Sequence, residues 1–450
     1  MSDTNRTNGK KTGGVSSGRG RVQKSVGADD VVRRQRRDGS TISAGRAPVR
    51  AAGLVRKEKR ELEQIKKDEK WQSGVERIRV GYDRIFLILV VVLISIGIVM
   101  VYSASYPTAI AKGYGGFYYA GRHIAFAVAG AAAMLITAHF PIPFIKKCSI
   151  PFYIACGVLL CLVLVMGVSR GEAQRWIVIA GDIRFQPSEF AKVALVMALA
   201  WYADKMSDRY RNSDDKKAKL LLGVIFPSFF IFLYAGLIIL EKHLSGTLIV
   251  VAIGVVVMFL AGASWKMMIP YYMSIGGIGA IAYVLYNPYA LKRILTFADE
   301  DADILDEAWQ TYQGTLAIGS GGTLGLGLGQ GRQKFSYVSE AHNDFVFTIW
   351  CEEMGFVGAV LVILLFLALL FRGYRIALRA PDTFSSLLVF GIMTQLGVQV
   401  FLNFMVVMDI IPNTGIPLPF MSYGGTSLVV MMAEMGLVLS VSRRSYQKLQ

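Results

Sequence analysis

The residues best suited to chemistry fall in one polar segment, 287–343, and in Asp344, which directly follows it. The segment separates two long apolar stretches. At its end stands the sequence SEAHND, in which Glu340 and His342 lie close to Asp344. A loop of this size between tightly connected helices usually serves a function. We therefore predict that 287–343 is an active-site loop. Asp344 also has a plainer interpretation as a helix cap, because helix N-termini favour carboxylates.

Glycines crowd the middle of the same segment, from Gly319 to Gly331. Backbone amides in such a loop can cradle a phosphate. The run matches no nucleotide-binding pattern, however, and glycine-rich loops often only turn the chain. By itself it is weak evidence for a phosphate site.

Ionisable residues within or beside the apolar stretches form a second group. Each is costly in lipid and needs a partner or a function. Glu189 and Lys192 share one face of a helix and can neutralise each other. Glu352 falls on roughly the same helix face as Asp344. With Arg122 these residues outline a polar cavity; an ion-pair network that only stabilises the bundle is the alternative.

Long apolar runs must position these groups, and they define the fold class. Hydrophobic residues make up 54% of the 450 residues, and several runs are long enough to span a bilayer. We predict an all-α polytopic membrane protein with ten transmembrane helices and a large extracytoplasmic loop between helices 7 and 8. The predicted spans are 84–105, 117–139, 150–168, 187–204, 220–240, 245–263, 266–286, 343–371, 383–409 and 423–441.

The N-terminal residues 1–80 carry much of the net charge of +16. Their composition cannot bury a core, so we predict a disordered basic cytoplasmic tail before a membrane domain that spans 81–445. The tail lacks interleaved aromatic residues, and no nucleic-acid partner is expected. No cleavable signal peptide is evident, so the first span should act as the anchor. The four cysteines lack metal or disulfide spacing.

Lysines and arginines in alternate loops orient the bundle. They follow the positive-inside pattern when both termini are cytoplasmic. The 287–343 loop and Asp344 then face outside, as does the loop 169–186. This second loop departs from the charge rule because it carries Arg170, Arg175 and Arg184. Basic residues at an unfavoured place suggest a role in holding an anionic group.

Four long motifs occur in order along the membrane portion. They are MVYSAS (100–105), AQRWIVIAGDIRFQPSEFAK (173–192), YQGTLAIGSGG through SEAHNDFVF (312–347) and NTGIPLPFMSYGGTS (413–427). Together they resemble the SEDS family (shape, elongation, division and sporulation). The resemblance covers about residues 83 to 445 and leaves out the tail.

The resemblance implies a ten-helix membrane glycosyltransferase, which polymerises lipid II into peptidoglycan glycan strands at the outer face of the bacterial cytoplasmic membrane. GLGLG before SEAHNDF and the long tail are similar to the cell-division branch, which acts at the septum. The elongation and sporulation branches are alternatives with the same chemistry.

Carried over residue by residue, the family's catalytic aspartate falls on Asp344. Its implied role is general base on the 4-hydroxyl of the acceptor GlcNAc, with inversion at the donor carbon and undecaprenyl pyrophosphate as leaving group. Four basic residues are expected to contact that pyrophosphate or shape its cavity: Arg122, Arg175, Lys192 and Lys334. The expected cavity-lining residues are Glu189, Glu340, His342, Glu352 and Ser422.

The chain departs from the family pattern at several positions. Asn343 stands where threonine is usual, Gln174 replaces the first of two arginines, and His123 replaces a glutamine. KHLSGT (242–247) replaces a Pro-Asp element, which puts an acidic role there in doubt. A divalent cation, Mg²⁺ or Mn²⁺, would fit beside the pyrophosphate, but no cluster has ligand spacing clear enough to assign.

The implied partners are lipid II, a class B penicillin-binding protein transpeptidase and other divisome membrane proteins. Two functions of other classes remain open. A flippase for a lipid-linked precursor suits ten helices with buried charges equally well, but it should need charges through the whole membrane depth. A scaffold that only holds the transpeptidase should not need Asp344.

Overall fold

The computed structural model describes residues 81–170, 173–180, 183–286, 291, 309–335, 337–338 and 341–445. The predicted tail 1–80 and Glu340 lie outside these residues. The described part contains three short strands, β1 Val168–Arg170, β2 Ala173–Ala180 and β3 Ile183–Phe185, in an antiparallel sheet of that order. Its helices are α1 Arg84–Ala111, α2 Tyr118–His139, α3 Ile142–Met166, α4 Pro187–Arg211, α5 Lys216–Leu240, α6 Leu244–Leu260, α7 Trp265–Tyr286, α8 Trp309–Ser320, α9 Val346–Leu378, α10 Thr383–Val407 and α11 Gly425–Ser442.

Eight of the described helices are long and apolar enough to cross a membrane, which makes this a multi-pass membrane protein. They are α1, α2, α3, α5, α7, α9, α10 and α11. Two others, α4 and α6, coincide with the remaining predicted spans. Helix α6 has only 17 residues, and α4 carries Glu189 and Lys192 near one end and Asp204 near the other. The count of ten spans therefore stays a prediction.

Helices α4, α10 and α11 form the centre of the bundle. Helix α4 is buried around most of its circumference, because VALVMALA offers small and aliphatic side chains on every face. Helix α2 packs closely on α11 because residue 436 is a glycine, which has no side chain. A Cβ at Gly436 would strike the Met134 carbonyl of α2, and beside it the Thr137 hydroxyl donates to the Ala433 carbonyl at 2.8 Å. Helix α7 lies at the periphery, and few of its residues are buried.

Helix α3 begins earlier than predicted, at Ile142 instead of 150. Proline is favourable in the first turn of a helix, so Pro143 starts α3 instead of delaying it. Lys146, which precedes the predicted span 150–168, consequently lies on the helix and forms an ion pair with Asp204 of α4.

Helix α9 is interrupted at Gly355, whose backbone adopts φ 65° and ψ −166°. The glycine-rich segment 321–331 is inserted at this break. Leu326 and Gly327 donate to the carbonyls of Glu352 and Glu353, each at 3.0 Å. Beyond the break, the Phe356 and Val357 amides donate to carbonyls of the same segment at 2.9 and 3.1 Å. The backbone groups of α9 that lose helical partners at the break therefore form hydrogen bonds with the glycine-rich segment instead.

Candidate active site

A cavity of about 1600 Å³ lies at the end of the bundle that carries the three-stranded sheet. Its walls come from α2, the sheet, the start of α4, the α5–α6 turn, the end of α7 and two irregular segments, 342–344 and 411–417. Six residues predicted for the site line it: Arg122, Arg175, Glu189, Lys192, His342 and Asp344. Residues from separate motifs thus meet in one space.

Asp344 lies just before α9 and does not occupy the capping position. The helix begins at Val346, and its N-cap residue is Phe345. The Asp344 backbone is held by Asn403 of α10, whose amide donates to the Asp344 carbonyl at 2.8 Å and to the Ile416 carbonyl at 2.7 Å. Asn403 is fully buried. It ties the segment that carries Asp344 to the opposing segment that carries Ile416.

The segment between α10 and α11 closes around the carboxylate. Gly415 has φ +63°, and a Cβ there would lie 3.1 Å from Oδ2 of Asp344. The Tyr423 amide donates to the His342 carbonyl at 2.8 Å. Ser422 was predicted to line the cavity, but the structure turns its hydroxyl inward, where it accepts from the Leu418 amide at 2.7 Å. Its role in this structure is to shape the segment.

Basic side chains dominate the charge of the cavity. Six lysines and arginines line it, against two carboxylates, Asp344 and Glu189. The basic residues are Lys112, Arg122, Arg175, Arg184, Lys192 and Lys242. The Lys192 ammonium lies 2.9 Å from both carboxylate oxygens of Glu189, and Ser427 donates to Glu189 at 3.1 Å. The remaining excess of positive charge suits an anionic ligand.

The α5–α6 turn adds a buried carboxyl beside this basic surface. Arg175 donates to the Lys242 carbonyl at 3.0 Å, where Lys242 adopts φ 55°. Glu241 is 1% exposed, and neither of its carboxylate oxygens has a hydrogen-bond partner among the described residues. Burial raises the pKa of Glu241 to about 8, although the Arg175 charge opposes the shift. Burial, with the charges of Arg175 and Lys192, lowers the pKa of His243.

Lys334 and Glu352 are not among the residues that line the cavity, contrary to the prediction. Lys334 is 4% exposed and forms an ion pair with Glu353 at 2.6 Å, and it donates to Ser103 of α1 at 2.9 Å. Glu352 accepts from the Arg332 amide at 2.8 Å. The physical reason is the break in α9, which draws the glycine-rich segment against the helix and buries these side chains beneath it.

The same insertion removes the phosphate-cradle interpretation of Gly319–Gly331. The amides of Leu326 and Gly327 are committed to α9 carbonyls, as described above. No residue of the run lines the cavity. Within the polar loop, the lining residues that the structure describes are Gln310, His342 and Asn343, with Asp344 directly after them. Within the described part of the predicted active-site loop, Gln310 and the C-terminal end therefore line the cavity.

Two groups of residues at the site, one that positions Asp344 and one that lines the cavity, escaped the sequence analysis. Asn403 is a polar residue in the middle of an apolar stretch, and the rule that identified Glu189 could have found it. Tyr114, Tyr118 and Tyr119 line the cavity from the start of α2. Their only signal in the sequence was an aromatic-rich turn, which the ends of many membrane helices share.

The arrangement can support transfer chemistry on an anionic, hydroxyl-bearing ligand. Asp344 supplies a carboxylate fixed by its backbone, and the basic residues supply positive potential within the same space. Among the described residues, no group of three or more His, Cys, Asp or Glu could hold a metal ion.

Comparison with known proteins identifies what the chain is similar to. The family model described as cell cycle protein, FtsW/RodA/SpoVE, matches residues 83–447. The chain is 37% identical over 368 residues to a probable peptidoglycan glycosyltransferase FtsW from Geobacter sp. (strain M18), covering 81% of this chain and 97% of that protein. It is 38% identical over 370 residues to stage V sporulation protein E from Bacillus subtilis (strain 168), with the same coverages.

Solved structures agree with these matches. One belongs to a peptidoglycan synthase complex that coordinates polymerization and crosslinking, with a TM-score of 0.67 and 30% identity over 81% of this chain and 98% of that chain. Another is the rod shape determining protein RodA of Thermus thermophilus, with a TM-score of 0.60 and 28% identity over 82% of this chain and 99% of that chain.

Proposed function

The chain belongs to the FtsW/RodA/SpoVE family of cell cycle proteins, and from this premise we propose that it is a peptidoglycan glycosyltransferase. Its substrate would be lipid II, polymerised at the outer face of the bacterial cytoplasmic membrane. The observation that carries the proposal is the shared cavity, in which Asp344 and six basic side chains surround one space. Relatives named as probable peptidoglycan glycosyltransferases support the enzyme class.

In the proposed reaction, Asp344 acts as the general base. Its carboxylate takes the proton of the acceptor GlcNAc 4-hydroxyl while that oxygen bonds to the anomeric carbon of the donor MurNAc. The bond from this carbon to the pyrophosphate oxygen breaks, and undecaprenyl pyrophosphate leaves. Direct attack inverts the anomeric centre, so a single carboxylate suffices. A positioned base typically contributes about 10²–10⁴-fold.

Basic side chains of the cavity would neutralise the charge that develops on the leaving pyrophosphate. Arg175 and Arg122 are our first candidates, with Lys192 as a third. The Lys192 ammonium forms an ion pair with Glu189, so it would share its charge between Glu189 and the pyrophosphate. Lys334 drops out of this set because Glu353 holds it outside the cavity.

We further propose that both termini are cytoplasmic and that the protein acts at the division septum with a class B penicillin-binding protein. The positive-inside pattern supports the orientation. A solved relative is a peptidoglycan synthase complex in which polymerization and crosslinking are coordinated, and this supports the partner. Relatives of the sporulation and rod-shape types leave those branches as the alternatives.

The decisive experiment measures glycan strands formed from purified lipid II by the reconstituted protein with its transpeptidase. Asp344→Asn should abolish polymer while melting temperature and partner binding stay unchanged. Asp409→Asn is the matched control, because it makes the same change at an exposed carboxylate that is not among the cavity-lining residues. It should leave polymerisation intact.

Other outcomes identify the competing functions. Equal polymer from Asp344→Asn and the unmodified protein would reject the general-base assignment. If neither forms polymer but both translocate lipid II across liposomes, the flippase is the better description. Polymer formation that tracks only the partner's presence, with Asp344 dispensable, would indicate a scaffold.

A further inference from the structure

One wall of the cavity is built from aromatic rings that the proposed chemistry does not use. We call Tyr114, Tyr118, Tyr119, His342 and Tyr423 the tyrosine track; all five line the cavity. Tyr114 and Tyr118 stack in parallel with ring centroids 4.2 Å apart. Tyr119 meets Tyr118 and Tyr423 edge-to-face at 5.2 and 5.3 Å, and its centroid is 4.9 Å from that of His342. The rings form a continuous surface.

Cations and backbone contacts hold these rings in place. The Arg122 guanidinium lies 4.4 Å from the centre of the Tyr118 ring, within the range of a cation–π interaction. Lys112 donates to the Tyr119 hydroxyl at 3.2 Å. Tyr114 follows Gly113, a turn residue with φ +73°, and its amide donates to the Ala109 carbonyl at 2.9 Å. The surface is thus organised before any ligand arrives.

The ring of Tyr114 nevertheless remains accessible. Its exposed fraction is 44%, and Tyr118 and Tyr119 are half-buried. Aromatic residues that serve only as core are covered by their neighbours, as Tyr234 is in this protein, at 0% exposure. Partial exposure along a cavity wall instead leaves flat apolar surface for a ligand.

The chemistry of this wall selects the kind of ligand. A pyranose ring has flat faces of C–H groups and a rim of hydroxyls, so it needs an aromatic face bordered by hydrogen-bonding groups. Tyr114 supplies the accessible ring, since it stacks on Tyr118 and is still 44% exposed. Arg122 lies over the Tyr118 ring, and Lys112 with the Tyr119 hydroxyl provides polar groups beside these rings. A polyprenyl chain would be served by aliphatic side chains without these polar edges. Tyrosine suits a surface that is apolar in the middle and wet at its rim.

The position of the tyrosine track relative to Asp344 indicates what a bound sugar would do in the reaction. His342, at one end of the track, is two residues before Asp344, and its carbonyl is fixed by the Tyr423 amide at 2.8 Å. Arg175 and Lys242 lie on the sheet and the α5–α6 turn, elements separate from the track. We propose that the tyrosine track is a sugar-binding subsite, which stacks pyranose rings of the acceptor and presents their hydroxyl to Asp344. This inference rests on the proposed function.

The test uses a soluble probe, so that binding is measured apart from catalysis. Chitotetraose, a β-1,4-linked N-acetylglucosamine oligomer, is titrated onto the reconstituted protein, and binding is followed by saturation-transfer NMR. We expect saturable binding that Tyr114→Ala weakens about tenfold, consistent with the loss of one aromatic stacking contact. Tyr114→Phe should bind normally, whereas Tyr114→Leu should bind as weakly as Tyr114→Ala, because it lacks a flat face.

Tyr102→Ala provides the matched control. Tyr102 is also 44% exposed, but it lies on α1 and is not among the cavity-lining residues; its removal should leave probe binding unchanged. Absence of saturable binding, wild-type affinity in Tyr114→Ala, or equal rescue by phenylalanine and leucine would each overturn the proposal.

Lipid II polymerisation, measured on the same variants, separates the two proposals. Tyr114→Ala should raise the KM for lipid II and retain kcat within about threefold, because stacking aids binding more than the chemical step. Polymer formation without track-dependent probe binding would refute the subsite alone. Track-dependent binding without any polymer from the unmodified protein would refute the proposed function and leave a sugar-binding site.

Discussion

Gly415→Ala should slow catalysis although it removes no charged group. At φ +63°, an alanine would sit in the left-handed region, at a cost of roughly 1–2 kcal/mol. Its Cβ would also lie 3.1 Å from Oδ2 of Asp344, closer than ordinary van der Waals contact. The carboxylate would then have to move by a few tenths of an ångström. Since a misplacement of about 1 Å can lower a rate by about 10², we expect roughly a tenfold loss in kcat.

The assay is the initial rate of glycan-strand formation from purified lipid II, with melting temperature measured in parallel. Gly329→Ala is the control for backbone strain, because Gly329 has φ +81° and an added Cβ would meet no atom within 4 Å. Both substitutions should lower the melting temperature by a few degrees. Only Gly415→Ala should lower the rate.

Two results would refute this reasoning. A wild-type rate from Gly415→Ala would mean that the close approach does not position the Asp344 carboxylate. An equal loss of rate in Gly329→Ala would assign the effect to general destabilisation. A tenfold loss confined to Gly415→Ala, with both variants still folded, would support a catalytic geometry set by the segment between α10 and α11.

Two further predictions concern buried ionisable groups. Lys334→Met should destabilise the protein by about 3–5 kcal/mol, because it leaves Glu353 buried and unpaired. Adding Glu353→Gln should restore thermal stability and polymerisation; a stable but inactive double variant would return Lys334 to substrate binding. The raised pKa of Glu241, about 8, means that the folded protein keeps a proton which the unfolded chain loses above about 4.5. Stability should therefore fall as pH rises between these values, by on the order of a few kcal/mol, and Glu241→Gln should flatten this dependence of melting temperature on pH. An unchanged pH dependence in Glu241→Gln would assign the effect to other groups.

Much of the helical framework could be predicted because bilayer-length apolar runs have a single common solution. Helix boundaries were harder to predict where one residue type is compatible with two structures. Pro143 could either end a loop or start a helix, and the structure shows that it starts α3. The glycine at 355 gave no local warning of the break in α9, because single glycines are common in membrane helices.

The sequence identified those site residues that carry a charge within an apolar stretch, because a charged side chain is costly in lipid. Glu189, Lys192 and Arg122 each violate the apolar pattern, and each lies in the cavity wall. Lys334 lies in the polar loop and was assigned through the family resemblance; in the structure it pairs with Glu353 of α9 and donates to Ser103 of α1. Charge alone cannot separate a residue that faces a ligand from one that faces a buried partner. Only the folded path of 321–335 decides between them.

The interruption at Gly355 also divides α9 into two parts with different neighbours. After Gly355, α9 continues as an ordinary membrane helix. Before Gly355, the stretch from Val346 to Met354, about two and a half turns, is attached to the inserted loop through backbone and carboxylate hydrogen bonds. The same stretch is also part of the core, because Val346, Phe347 and Thr348 are fully buried. A displacement of the inserted loop would therefore reach Asp344 only by repacking the bundle around this short segment.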